Sequence, residues 1–103
     1  MFGFNKPKCD LDALIQQIKT RMQATLEESL QVTDTQLECI THKQGVDVIF
    51  SFIKPGLSPV RKKISHQIRQ KHLDVKTLDE LYGEVFEGLH RLAEIRINEM
   101  SPI

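Results

Sequence analysis

The stretch from Gln36 to Ile53 constrains this chain more than any other, because it reads as strand and is apolar on both sides. It is rich in Val, Ile, Phe and Thr, residues whose branched or flat side chains suit a pleated surface. In an extended chain Val46, Val48, Phe50 and Phe52 share one face, while Asp47, Ile49, Ser51 and Ile53 share the other. Gly45 punctuates the run, and Lys43-Gln44-Gly45 suits a three-residue hairpin loop whose last position takes positive φ. That loop places Ile40 on the aromatic face and pairs Cys39 with Ile49. Slipping the loop by one residue exchanges those two partners.

Helical patterns flank the hairpin. Leu11, Leu14, Ile15, Ile18, Met22, Leu26 and Leu30 recur at spacings of three and four, with Asp10 as N-cap and Asp12 in the first turn, where the helix dipole favours an anion. Gln31 to Thr35 is β-branched and polar and ends this helix. After the hairpin, Lys54-Pro55-Gly56 stops the strand and Ser58-Pro59 reads as a helix start. A second helix is therefore expected over about 59–72, with a thin stripe of Val60, Ile64 and Ile68. Thr77-Leu78-Asp79-Glu80 is a capping box that opens a third helix, running to about Met100.

The expected fold is α+β: a helix, a two-stranded antiparallel hairpin, then two helices (α-β-β-α-α), with the hairpin packed on the helices. Residues 1–8 are read as an irregular arm, 9–100 as one domain and 101–103 as a frayed tail, in keeping with a 103-residue chain. The hairpin-then-helix order is common to many small α+β domains and singles out no family.

Composition narrows the function classes. At 40% hydrophobic and 27% charged, the chain matches an ordinary soluble protein. Its apolar runs, such as Val48-Ile49-Phe50, reach only three residues, far short of a membrane span, and Met1-Phe2-Gly3-Phe4 runs at once into polar residues, unlike a signal peptide. Phe2, Phe4, Lys6 and Lys8 bury too little for a membrane anchor. Cys9 and Cys39 show no metal or redox spacing, which fits a reducing cytoplasm, with Cys39 a small apolar filler.

The net charge is zero but segregated. Residues 54–76 hold seven basic residues and one acid, whereas 77–103 hold two basic residues and six acids. Arg61, Lys62, Lys63, Arg69 and Lys71 therefore form the candidate site for an anionic partner, such as nucleic acid. The competing reading sets this basic segment against the acidic third helix, where the charges largely cancel. The acidic start of that helix also argues against a helix-turn-helix reader of DNA.

No catalytic constellation stands out. Glu87 and His90 have the E-x-x-H spacing of di-iron bundles, but a single pair reads as a solvated Glu/His pair. His66 and His72 are six residues apart, a spacing that does not align them on a helix, so neither a zinc site nor any cofactor is indicated. Phe50, Phe52, Tyr82 and Phe86 could line a small-ligand cavity, though ordinary core packing is the simpler reading.

A lone two-stranded ribbon is marginal in water. Ile49 and Ile53 would face away from the helices beside an open strand edge, and a 24-residue third helix would span ~36 Å. The expectation is a non-enzymatic homodimer, joined through its hairpins or third helices, that binds a protein partner. Binding of an anionic partner or of a small molecule is the alternative.

Overall fold

The structure is a computed structural model that describes residues 10–100. The expected arm with Phe2 and Phe4, Cys9 at the start of the expected domain, and the tail lie outside the described residues. The fold is α+β, built on a three-stranded antiparallel sheet in the order β1-β2-β3. The strands are β1 (Thr33–His42), β2 (Gly45–Lys54) and β3 (Ser58–Arg69). Helix α1 (residues 11–30) precedes the sheet, and α2 (Gln70–Val75) and α3 (Leu78–Asn98) follow it.

The third strand corrects the expectation of a two-stranded hairpin and of a helix over 59–72. Its apolar stripe, Val60, Ile64 and Ile68, is also compatible with alternation: Ile64 and Ile68 are buried, while Arg61, Lys63, Ser65, Gln67 and Arg69 are exposed. Pro55-Gly56 supplies a tight turn rather than a linker. The Leu57 N–H donates to the Lys54 carbonyl at 3.2 Å and Gly56 takes φ 88°, the arrangement of a type II turn, with Pro at its second and Gly at its third position. The chain therefore doubles back, and β2 becomes the central strand, paired on both sides. Two hairpins cannot then join through β2 into a four-stranded sheet.

The register of the first hairpin also differs from the expectation. His42 pairs with Gly45, so the loop is the two residues Lys43 and Gln44; Cys39 pairs with Val48 and Ile40 with Asp47. The slipped register sends Leu37 into the core opposite Phe50 and turns Ile40 outward. Gly45 does take positive φ, at 138°, and its lack of a side chain is essential: a Cβ there would stand 1.8 Å from the Ile68 carbonyl oxygen.

Helix α1 contains a wide turn. Residues 11–17 and 23–30 are α-helical, but Ile18–Met22 is π-helical. Leu14, Ile18, Met22, Leu26 and Leu30 are all buried and follow each other at a constant spacing of four. In a pure α-helix a stripe at that spacing drifts by about 160° over 16 residues. One wide turn takes up much of the drift and keeps all five on the sheet.

Helix α3 carries the expected capping box: the Thr77 hydroxyl accepts from the Glu80 N–H, and the Glu80 carboxylate accepts from the Thr77 N–H. Leu81, Val85, Leu89 and Ala93 form its buried stripe. The core unites these with the α1 series and with Leu37, Val46, Val48, Phe50, Phe52, Ile64 and Ile68 of the sheet. The helices thus cover one face of the sheet and leave the other open.

Candidate functional site

The open face is a grid set by the strand register. Its rows read Gln36-Ser51-Lys63, Glu38-Ile49-Ser65 and Ile40-Asp47-Gln67, with His42 and Arg69 flanking Gly45 at one end. Ile40 is 48% exposed, and Ile49 and Ile53 are half-buried by their neighbours alone. Both candidate contact residues, Ile49 and Ile53, therefore sit where alternation placed them, and Ile40 joins them through the corrected register.

Charge divides this face by strand. The β3 column presents Arg61, Lys63 and Arg69, all exposed. The β1 column presents Glu38, and Asp34 is exposed in a bulge at the start of that strand, where its φ is 52°. On β2, Asp47 meets His42 Nε2 at 3.2 Å, while the Gln44 N–H donates to His42 Nδ1. The latter bond leaves the proton on Nε2, directed at the Asp47 carboxylate. Of the five proposed anion-binding residues, the structure gathers Arg61, Lys63 and Arg69 on one face. It separates Lys62, which lies on the helix-side parity opposite Phe52, and Lys71, which is exposed on α2.

Only part of the basic segment meets the acidic helix. Lys76 Nζ donates to Glu84 Oε1 at 2.7 Å, and His72 Nδ1 lies 3.2 Å from Glu84 Oε2. His66 Nε2 stands 3.8 Å from the same oxygen, too far for a hydrogen bond, and is buried without a partner among the described residues. Burial pushes the Glu84 carboxyl up. Hydrogen bonds from Lys76 and His72, with their charges, outweigh that and hold it below the ordinary glutamate range. Sequence spacing missed this convergence, because it assigned both histidines to one helix. They come from β3 and α2 instead.

A second polar set joins α1 to α3. Ser29 Oγ lies 2.8 Å from His90 Nε2, and His90 Nδ1 lies 3.6 Å from Glu94 Oε1. The order of groups matches a hydrolytic triad, but the setting opposes that chemistry. Ser29 occupies the last turn of α1, the negative end of the helix dipole, where an oxyanion is disfavoured. The neighbouring Leu30 and Gln31 carbonyls already receive Lys54 Nζ, at 2.9 and 3.2 Å. Glu87, the other half of the E-x-x-H pair, is exposed, and no group of metal-ligating side chains occurs among the described residues.

The four aromatic residues do not form one lining. Phe50 and Phe52 stack at 5.5 Å between ring centres and are wholly buried in the core, whereas Tyr82 and Phe86 pack at its margin. Tyr82 receives the Arg21 guanidinium 5.1 Å above its ring. Cys39 is half-buried on the helix side, and burial pushes its thiol up, against the opposing charge of Lys19. Among the described residues no helix is long and apolar enough to cross a membrane. No family model matches the chain, and no characterised protein or solved structure is significantly similar to it.

Proposed function

We propose that this chain is a non-enzymatic interaction protein that works as a homodimer in the cytoplasm and binds a protein partner. The observation that carries the reading is the open sheet face, where Ile40 is exposed and Ile49 and Ile53 are half-buried by neighbouring strand residues while the helices pack on the opposite side. An apolar group of this kind, rimmed by charged residues, marks a contact surface. The polar clusters support a structural role: Lys54 closes the end of α1, and Lys76 with His72 locks Glu84. The partner is assigned to the helical layer, where Leu92 and Ile95 are 38% and 49% exposed.

Sedimentation velocity across a concentration series tests the reading. The weight-average mass should climb from 11.9 kDa toward twice that value, and the rise should vanish in Ile49→Asp. A mass that stays at 11.9 kDa throughout overturns it.

One observation favours a second reading. Arg61, Lys63 and Arg69 project together from β3, as a binder of an anionic partner requires. Among the described residues the open face has no Phe, Tyr or Trp for bases to stack on, so such binding would rest mainly on phosphate contacts and weaken steeply with salt. A flat titration with single- and double-stranded DNA and RNA at low salt removes this reading.

A further inference from the structure

We infer that the open face is self-complementary: two copies stack sheet on sheet about a two-fold axis along β2, so that β1 of each copy lies over β3 of the other. The inference rests on the homodimer reading above and specifies its geometry.

Three two-fold arrangements are open to a three-stranded sheet with one bare face, and the residues discriminate among them. Edge pairing is guarded on both sides. The start of β1 is bulged, with two residues, Asp34 and Thr35, opposite the single residue Phe52. The start of β3 is irregular, with Pro59, Val60 and Arg61 opposite Ile53 alone. Bulges and an edge proline are devices that stop strand addition. A two-fold axis across the strands would lay β3 on its own image and bring Arg61, Lys63 and Arg69 of both copies together. Desolvating like charges in that way is unfavourable.

The axis along β2 has the opposite effect. It maps the β3 column of one copy onto the β1 column of the other. Gln36 then faces the partner's Lys63, and Glu38 faces the partner's Ser65 with the partner's Lys63 one row away. Ile49 and Ile53 meet their own images at the centre. Asp47 also meets its image, a like-charge contact that is only eased by the hydrogen bond each carboxylate accepts from its own His42.

Area sets the strength. A face of three strands, each about 10 residues long, covers roughly 33 by 14 Å. Two such faces bury on the order of 1,000 Å² in total, the lower limit for a specific interface. The dimer is therefore weak and exchanging, and its polar pairs govern which arrangement forms more than how tightly it holds.

Charge reversal with rescue tests the geometry on the full chain, by sedimentation velocity from about 10 μM to 1 mM. Glu38→Lys and Lys63→Glu should each raise the dissociation constant by about tenfold, since each reversal acts twice in a symmetric pair. The double variant Glu38→Lys/Lys63→Glu should return it to within about threefold of the wild type. Both residues are exposed, so the variants stay folded, and circular dichroism confirms this. Self-association that ignores both reversals, or that is weakened by them without rescue, overturns the stacked geometry and leaves the homodimer reading standing. A wild type that never exceeds 11.9 kDa overturns both.

Discussion

Gly88 lies against the imidazole of His66 so closely that a Cβ built on it would stand 2.4 Å from Nδ1 and 3.2 Å from the ring carbon Cγ. His66 reaches inward from β3 and Gly88 belongs to α3, so this contact fixes how near the helix sits to the strand. Gly83, five residues earlier on the same helix, has nothing within 4 Å of the corresponding position.

The two glycines should therefore respond in opposite directions. Gly83→Ala should stabilise the fold by about 1 kcal/mol through helix propensity. Gly88→Ala gains the same propensity but must displace a ring packed in the groove, which costs about 1–3 kcal/mol. A net loss of about 1 kcal/mol is expected, and it should shrink in a His66→Ala background. Urea unfolding of the four variants checks both signs.

Glu84 links folding to pH. Its carboxyl is held below the usual range in the folded chain, so the stability it contributes is fully present above the unfolded glutamate value of ~4.3 and is lost as pH falls through the lower folded value. Glu84→Gln should lower the urea midpoint at pH 7. The gap between variant and wild type should close below about pH 4. A gap that is constant from pH 7 to pH 3 would show that the ion cluster contributes nothing to folding.

Lys54 closes the carboxyl end of α1 through its bonds to the Leu30 and Gln31 carbonyls. Lys54→Met keeps the aliphatic stem and removes both donors. A loss of about 1 kcal/mol is expected, with faster amide exchange in the last turn of α1 and in Val32, whose N–H bonds the Glu27 carbonyl.

Deleting the exposed residue Thr20 tests the role of the wide turn. With one residue fewer, the buried α1 series would run at spacings of four, three, four and four, which an α-helix satisfies unaided. The variant should fold, with a melting temperature within a few degrees of the wild type. Loss of the fold would show that the π segment does more than align the stripe.

Cys39 should react slowly with an aromatic disulfide reagent at pH 8 in the native state and quickly in urea, because burial raises its thiol. Measured in a Cys9→Ser background, equal rates in both states would contradict its placement between sheet and helices.

The long helices and the two faces of β2 were legible because each rests on a local period that nothing nearby contradicts. The α3 capping box and the outward Ile49 and Ile53 belong to this group. The third strand was misread because Ser58-Pro59 imitates a helix start, and Val60, Ile64 and Ile68 satisfy a four-residue spacing as well as a two-residue one. Pro55-Gly56 held the contrary signal, since a type II turn prefers that pair and joins neighbouring strands. The charge segregation was real in sequence, but its placement was not. Alternation sent Arg61, Lys63 and Arg69 to the open face and left His66 facing α3, a split that follows only once 58–69 is extended.

The closure at Gly45 also bears on the order in which the molecule assembles. The Gln44 carbonyl accepts from the Gln70 N–H at 2.9 Å, and Gly45 is pressed against the Ile68 carbonyl. The tip of the first hairpin is thus completed by backbone groups more than 20 residues downstream. A nascent ribbon of β1 and β2 has no such neighbour and is free to pair in either of two offsets. The arrival of β3 selects between them, so the rate-limiting event should involve docking of the last strand rather than closure of the first turn.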